Sequence, residues 1–163
     1  LQRAASGEGP SRQLKECYLQ AVALLVEDGP QLDRAEYFQL LRMLAWVPDK
    51  FMDPETVSVV NFGLTWISVR APEVTAAMLG EVTNMWISSS NRKVGLFSGG
   101  SILSSQAPPE ELLQSIEAQQ LLLNFLEEHW VIAAHGAVEA GEAVLTVFRR
   151  FLELSLQDPS RML

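Results

Sequence analysis

Apolar residues return every three or four positions through most of this chain, which is the spacing of a helix face rather than of a strand. Leu14, Tyr18, Ala21, Leu24 and Leu25 set the first stripe and predict a helix over 11–28, with Ser11 as its cap and Gly29-Pro30 as its stop. Tyr37, Leu40, Leu41 and Leu44 set the second, over 33–46. Asp33 and Glu36 stand three apart there, the spacing of a capping box with Asp in the first position. Pro48 is expected to end that helix, because proline disfavours helical geometry in the residue before it.

A third helix is predicted over 54–69, capped by Asp53 with Pro54 at the first helical position. Its Val and Thr content makes a strand the rival reading, but its length and the lack of hairpin turns favour a helix. Ala76, Leu79, Val82 and Trp86 face one way in a fourth, over 72–89, with Glu73 in the first turn complementing the helix dipole. Gly80 within it costs about 1 kcal/mol relative to Ala, and a close approach of a neighbouring helix would account for it. Two further stripes predict helices over 109–134 and 137–156, with Gly136 between them and Asp158-Pro159 closing the last.

The expected fold is therefore all-α: about six antiparallel helices stacked as helical hairpins, in the manner of an α-solenoid of armadillo or HEAT type. The predicted links at 29–32, 47–53 and 70–71 are short, and several helices are apolar beyond one narrow stripe. No fixed sequence period is legible. The segments starting Pro54-Glu55 and Pro72-Glu73 both run to Trp-Ile, but over different lengths. Residues 1–10, small and polar with Gly and Pro, read as a linker or frayed terminus. Residues 11–158 form the expected helical-repeat domain. The connection 90–108 is the one long loop, in which Gly95–Phe97 can pack and 98–107 is expected to be flexible. Opening on Leu1 rather than Met, the chain is expected to be a segment of something longer.

The length of 163 residues suits one domain with its own core. A net charge of −8 argues against a nucleic-acid partner, which needs a basic face, and against unaided docking on an anionic membrane. With one cysteine, Cys17, there is no internal disulfide. Its neighbours suggest a packed thiol, and a reducing cytosol fits best. No apolar run approaches the roughly 20 residues that span a bilayer.

Residues able to do chemistry are few. His129 and His135 stand six apart, where a zinc helix needs four on one face, so both are expected at the surface or rim. Glu110/Glu111 and Glu127/Glu128 read as helix-start charge and solvated face. Ser98, Ser101 and Ser104 lie in no nucleophile elbow. Gly7-Glu8-Gly9 is not followed by the Gly-Lys-Ser/Thr of a phosphate loop, and no kinase motif occurs. Trp46, Trp66, Trp86 and Trp130 fall at or near the ends of apolar stretches, as anchors between layers or as a partner-binding patch.

One stretch goes further. Trp66 precedes a helix carrying Glu81 and Trp86, then a polar segment with Lys93 two residues before Gly95-Leu96-Phe97-Ser98. That order resembles the helical region of the type III alpha phosphatidylinositol 4-kinases. The likeness covers residues 55–156, with loop 99–108 shorter than in the animal enzymes. It implies a non-catalytic α-solenoid scaffold upstream of a kinase domain, and a parent enzyme making phosphatidylinositol 4-phosphate. Protein adaptor subunits and self-association are the implied partners. The implied location is the cytoplasm, peripheral at the plasma membrane through those partners. No cofactor is expected in this segment; ATP and Mg would belong to the parent chain. Trp66, Trp86, Lys93, Gly95, Leu96, Phe97 and Ser98 form the candidate interaction or packing motif. The alternatives are an unrelated helical-repeat adaptor in trafficking or transport and, least supported, a small enzyme around the histidines.

Overall fold

The computed structural model describes residues 9–97, 109–135 and 138–156. Every regular element among them is helical. The α-helices are α1 (Gly9–Glu27), α2 (Arg34–Ala45), the single turn α3 (Val47–Lys50), α4 (Pro54–Arg70), α5 (Thr75–Asn91), α6 (Pro109–His135) and α7 (Val138–Leu156). Short 3₁₀ turns lie at Gly29–Gln31, Pro72–Val74 and Gly95–Phe97. The protein is all-α. Residues 54–69 are helical despite their Val and Thr content, because Val57, Val60, Leu64 and Ile67 recur on one face and are all buried.

Local chemistry sets most boundaries. The Asp33 carboxylate accepts the Glu36 N–H at 2.8 Å, and Asp53 accepts the Thr56 N–H at 2.9 Å with Pro54 at the helix start. Pro48 does not lie in a plain link as expected. α2 ends at Ala45, and Pro48 stands early in α3, where a helix can do without its N–H. Pro72 likewise opens a 3₁₀ turn, so α5 starts at Thr75 rather than at Pro72. The expected linker covers 1–10, but α1 already includes Gly9 and Pro10; residues 1–8 and the flexible segment expected at 98–107 lie outside the described residues.

Cross-helix contacts fix the architecture. α4 packs between α1 and α6, and α5 between α2 and α7, giving two rows of three helices. Contacts along the first row advance together. The Tyr18 hydroxyl donates to the Val60 carbonyl at 3.3 Å, Asn61 Nδ2 donates to the Leu121 carbonyl at 3.0 Å, and Ser68 meets His129 at 3.2 Å. Lys15 pairs with Glu55 on the same advance. Helices within this row therefore run parallel. The partners of a hairpin run opposite ways: α6 and α7 are separated by only two residues in the chain and pack on each other, with Trp130 stacked on Phe148. Three hairpins, α1/α2, α4/α5 and α6/α7, thus stack in the same order.

The core lies between the rows. Leu25, Leu41, Leu64, Ile67, Met78, Met85, Trp86 and Leu122 are its large, fully enclosed side chains. Close approach of α1 and α4 occurs at Gly63, where a Cβ would come within 2.7 Å of the Tyr18 ring and 2.9 Å of Val22. Gly80 has no such role, contrary to expectation: a Cβ there would meet nothing within 4 Å.

Candidate interaction motif

α5 stops because the chain turns left-handed just beyond it. The Lys93 N–H donates to the Ser90 carbonyl at 3.0 Å and the Val94 N–H to the Ser89 carbonyl at 3.1 Å. Those are the two bonds of a Schellman cap, in which the left-handed residue is usually Gly. Here it is Lys93, at φ 57°. Two residues on, Gly95 also has φ 57°, and this position does require glycine. A Cβ at Gly95 would run into the Gln119 side-chain oxygen.

Gln119 holds the turn to α6. Its Oε1 accepts the Leu96 N–H at 2.7 Å, and its Nε2 donates to the Val94 carbonyl at 3.1 Å. A single buried amide therefore replaces the backbone partners that a turn leaving a helix lacks. The turn sends Phe97 inward. Its ring meets Trp86 edge-on, with centroids 5.2 Å apart, and Phe151 of α7 approaches the same indole at 5.7 Å. α5, the turn, α6 and α7 meet at this one point.

The sequence motif divides accordingly. Trp86 is 1% exposed and Phe97 4%, so neither offers surface to a partner. Lys93 and Leu96 point outward. Trp66 is half-buried on α4, and no ring contact joins it to Trp86 among the described residues. Ser98 lies outside the described residues. The other tryptophans also anchor layers. Trp46 Nε1–H donates to Glu81 Oε2 at 2.8 Å, with the Arg42 guanidinium 5.5 Å over the indole. Trp130 stacks on Phe148 at 4.1 Å. Glu81, one of the motif residues, thus serves as the acceptor that joins α2 to α5.

Two residues that sequence reasoning missed complete the frame. Gln119 falls seven residues after Leu112 and three before Leu122 on a buried stripe, and a polar residue in that register was a readable signal. Asp49 gave no such signal. Its carboxylate accepts Ser88 Oγ–H at 3.0 Å and Arg92 Nη2 at 2.7 Å, tying α3 to the end of α5.

The histidines differ from each other. His135 is exposed, but His129 is 4% exposed and not at the rim as expected. It faces α4, a placement that six-residue spacing along α6 does not reveal. Its Nδ1 lies 2.9 Å from the Phe125 carbonyl and so carries hydrogen. Its Nε2 meets the Ser68 hydroxyl at 3.2 Å. Burial lowers the His129 pKa; the Phe125 carbonyl and the Glu128 charge oppose that shift. Cys17 is exposed rather than packed, because it shares the face of α1 that carries Leu24, not that of Tyr18 and Val22. Among the described residues no group of three His, Cys, Asp or Glu is placed to hold a metal ion, and no helix is long and apolar enough to cross a membrane.

Comparison with known proteins agrees with the motif. Residues 2–162 match the family described as PI4-kinase N-terminal region, so the likeness extends over the first helices too, beyond 55–156. The chain is 30% identical, over 151 residues, to phosphatidylinositol 4-kinase alpha 1 of Arabidopsis thaliana. That alignment covers 82% of this chain and 7% of the plant protein, so the chain spans a small part of its relative's length. No solved structure matches. Membership over nearly every residue also removes the ground for an unrelated adaptor. The chain belongs to the PI4-kinase N-terminal region family.

Proposed function

We propose that this chain is a non-catalytic scaffold segment of a phosphatidylinositol 4-kinase, an α-solenoid whose outer faces take protein adaptors that bring the enzyme to the plasma membrane. In that reading ATP and Mg are bound by a kinase domain elsewhere in the parent protein, and the membrane is met only through partners. The observation that supports it best is the two-row stack of hairpins in a chain of this family. Such a stack makes each helix row a continuous surface, and its binding positions are fixed by packing rather than by a pocket.

The outer stripe of α4 is one exposed apolar part of that surface. Phe62 and Val69 are 63% and 72% exposed, opposite the buried Val60, Leu64 and Ile67. The acidic balance of the chain accords with recruitment through proteins rather than directly by anionic lipid.

The test uses the full-length kinase carrying Phe62→Asp and Val69→Asp. Phosphatidylinositol phosphorylation in detergent micelles is expected to stay within about twofold of wild type, since surface changes away from packed sites are nearly neutral. Co-purification of adaptor proteins and the membrane-bound fraction are expected to fall. Loss of micellar activity with intact folding would make the segment part of the catalytic apparatus, and unchanged recruitment would remove this face from the scaffold.

A further inference from the structure

One cleft in the described structure has no part in the motif above. It opens where the α1–α2 turn meets the α4–α5 turn and has a volume of about 540 Å³. That lies within the range of small-molecule sites. Leu25, Val26, Ile67 and Val74 line its apolar part. Gly29 leaves room for the Tyr37 ring to close one wall, since a Cβ there would come within 2.7 Å of it.

Three charged side chains line the same cleft: Arg34, Arg70 and Glu73. Arg34 lies 5.7 Å over the Phe38 ring, and that stacking leaves its N–H groups free. Arg70 has no hydrogen bond or ion pair among the described residues. Two guanidinium forks against one carboxylate leave a net charge of +1 beside an apolar floor, in a chain whose overall charge is −8.

We propose that this cleft binds a small amphipathic carboxylate, its apolar body on Leu25, Ile67 and Val74 and its carboxylate held by Arg34 and Arg70. Guanidinium forks match carboxylate oxygens two by two. The single positive excess suits a monoanion better than a phosphate dianion, which Glu73 would repel. Tyr37 lines the cleft as well, and burial and then Glu73 raise the pKa of its hydroxyl. This site is independent of the scaffold role and stands or falls without it.

The experiment is a titration of the 163-residue chain, followed by amide NMR shifts, with octanoate, octanol, acetate and octyl phosphate in turn. Octanoate is expected to shift amides around Gly29, Ile67, Ala71 and Val74, and to bind about tenfold more tightly than octanol, as charge-assisted hydrogen bonds would give. Acetate should produce no saturable shift. The double variant R34Q/R70Q should reduce octanoate to the level of octanol and leave octanol unchanged. Ala71→Trp, which fills the cleft, should abolish both. Equal binding of octanoate and octanol by the wild type would overturn the role of the arginines. Tighter binding of octyl phosphate would overturn the choice of a monoanion, and shifts scattered over the surface would overturn the site. Arg34 and Arg70 are exposed, so the double variant decides the matter even if Ala71→Trp fails to fold.

Discussion

Lys93 and Gly95 share a backbone angle and differ in what a substitution does. Lys93 is exposed and left-handed, a conformation that costs a side-chain-bearing residue about 1–2 kcal/mol. Lys93→Gly is therefore expected to stabilise the protein by up to about 1 kcal/mol, the entropy of glycine offsetting part of the gain. The urea midpoint measures it, and a lower midpoint would mean that the lysine side chain contributes something the cap geometry does not show. Gly95→Ala is expected to go the other way by about 2 kcal/mol or more, since it adds the same strain and also displaces Gln119 from two backbone groups. The helix glycines make a second contrast. Gly80→Ala is expected to raise stability by about 0.5–1 kcal/mol, because its Cβ enters open space. Gly63→Ala is expected to lower it by about 1–3 kcal/mol, by forcing Tyr18 and Val22 away from α4. Thermal melts of the two alanine variants should shift in opposite directions.

At the scale of elements, the junction of α4 and α6 carries a titratable group. His129 has a folded pKa below its ordinary value near 6.5, first because of burial. The neutral form is favoured in the folded state, so the unfolded chain binds more protons as pH falls. The contribution is fully present above about 6.5 and is lost as pH drops from there through the folded pKa. The Ser68 hydroxyl has one proton and two acceptors, His129 Nε2 and the Thr65 carbonyl. Protonation of the ring turns Nε2 into a donor and leaves the Ser68 proton to Thr65. That exchange keeps the interface hydrogen-bonded, and desolvation is the cost that remains. His129→Gln should flatten the dependence of the urea midpoint on pH between 7.5 and 5.5 compared with wild type; equal slopes would assign the dependence to other groups.

At the scale of the whole molecule, the hairpins stack without a fixed sequence period. Contacts between the first and second hairpins join residues 42 apart at Tyr18–Val60 in one row, and 35 apart at Trp46–Glu81 in the other. Between the second and third hairpins the offset is 60 at Asn61–Leu121 and 61 at Ser68–His129. The added length falls in the long α6 and in the connection before it, residues 92–108, so a search at fixed spacing fails. The exposed Phe62 and Val69 of the middle hairpin belong to this scale too, because only the stacking of three hairpins makes their row a continuous face.

The sequence by itself determined the helices, since an apolar stripe at 3.6-residue spacing and an Asp three residues before its N–H partner are local facts. Asp33, Asp53 and Pro54 act within a few residues of themselves. The order of Trp66, Glu81, Trp86, Lys93 and Gly95–Ser98 also carried the resemblance that the family match over residues 2–162 then established. The sequence did not determine which apolar residues face inward across rows, because a stripe says that a face is buried and not against what. Phe97 and Phe151 meet on Trp86, and His129 lies under Ser68, only once parallel rows set the register between helices. The same holds for Gly63 and Gly80, which read alike along the chain: only the distance to a neighbouring helix separates a required glycine from a replaceable one. The cleft at the hairpin turns also had to wait for the fold. Arg34 and Arg70 are remote in sequence, and packing alone places both on one apolar hollow.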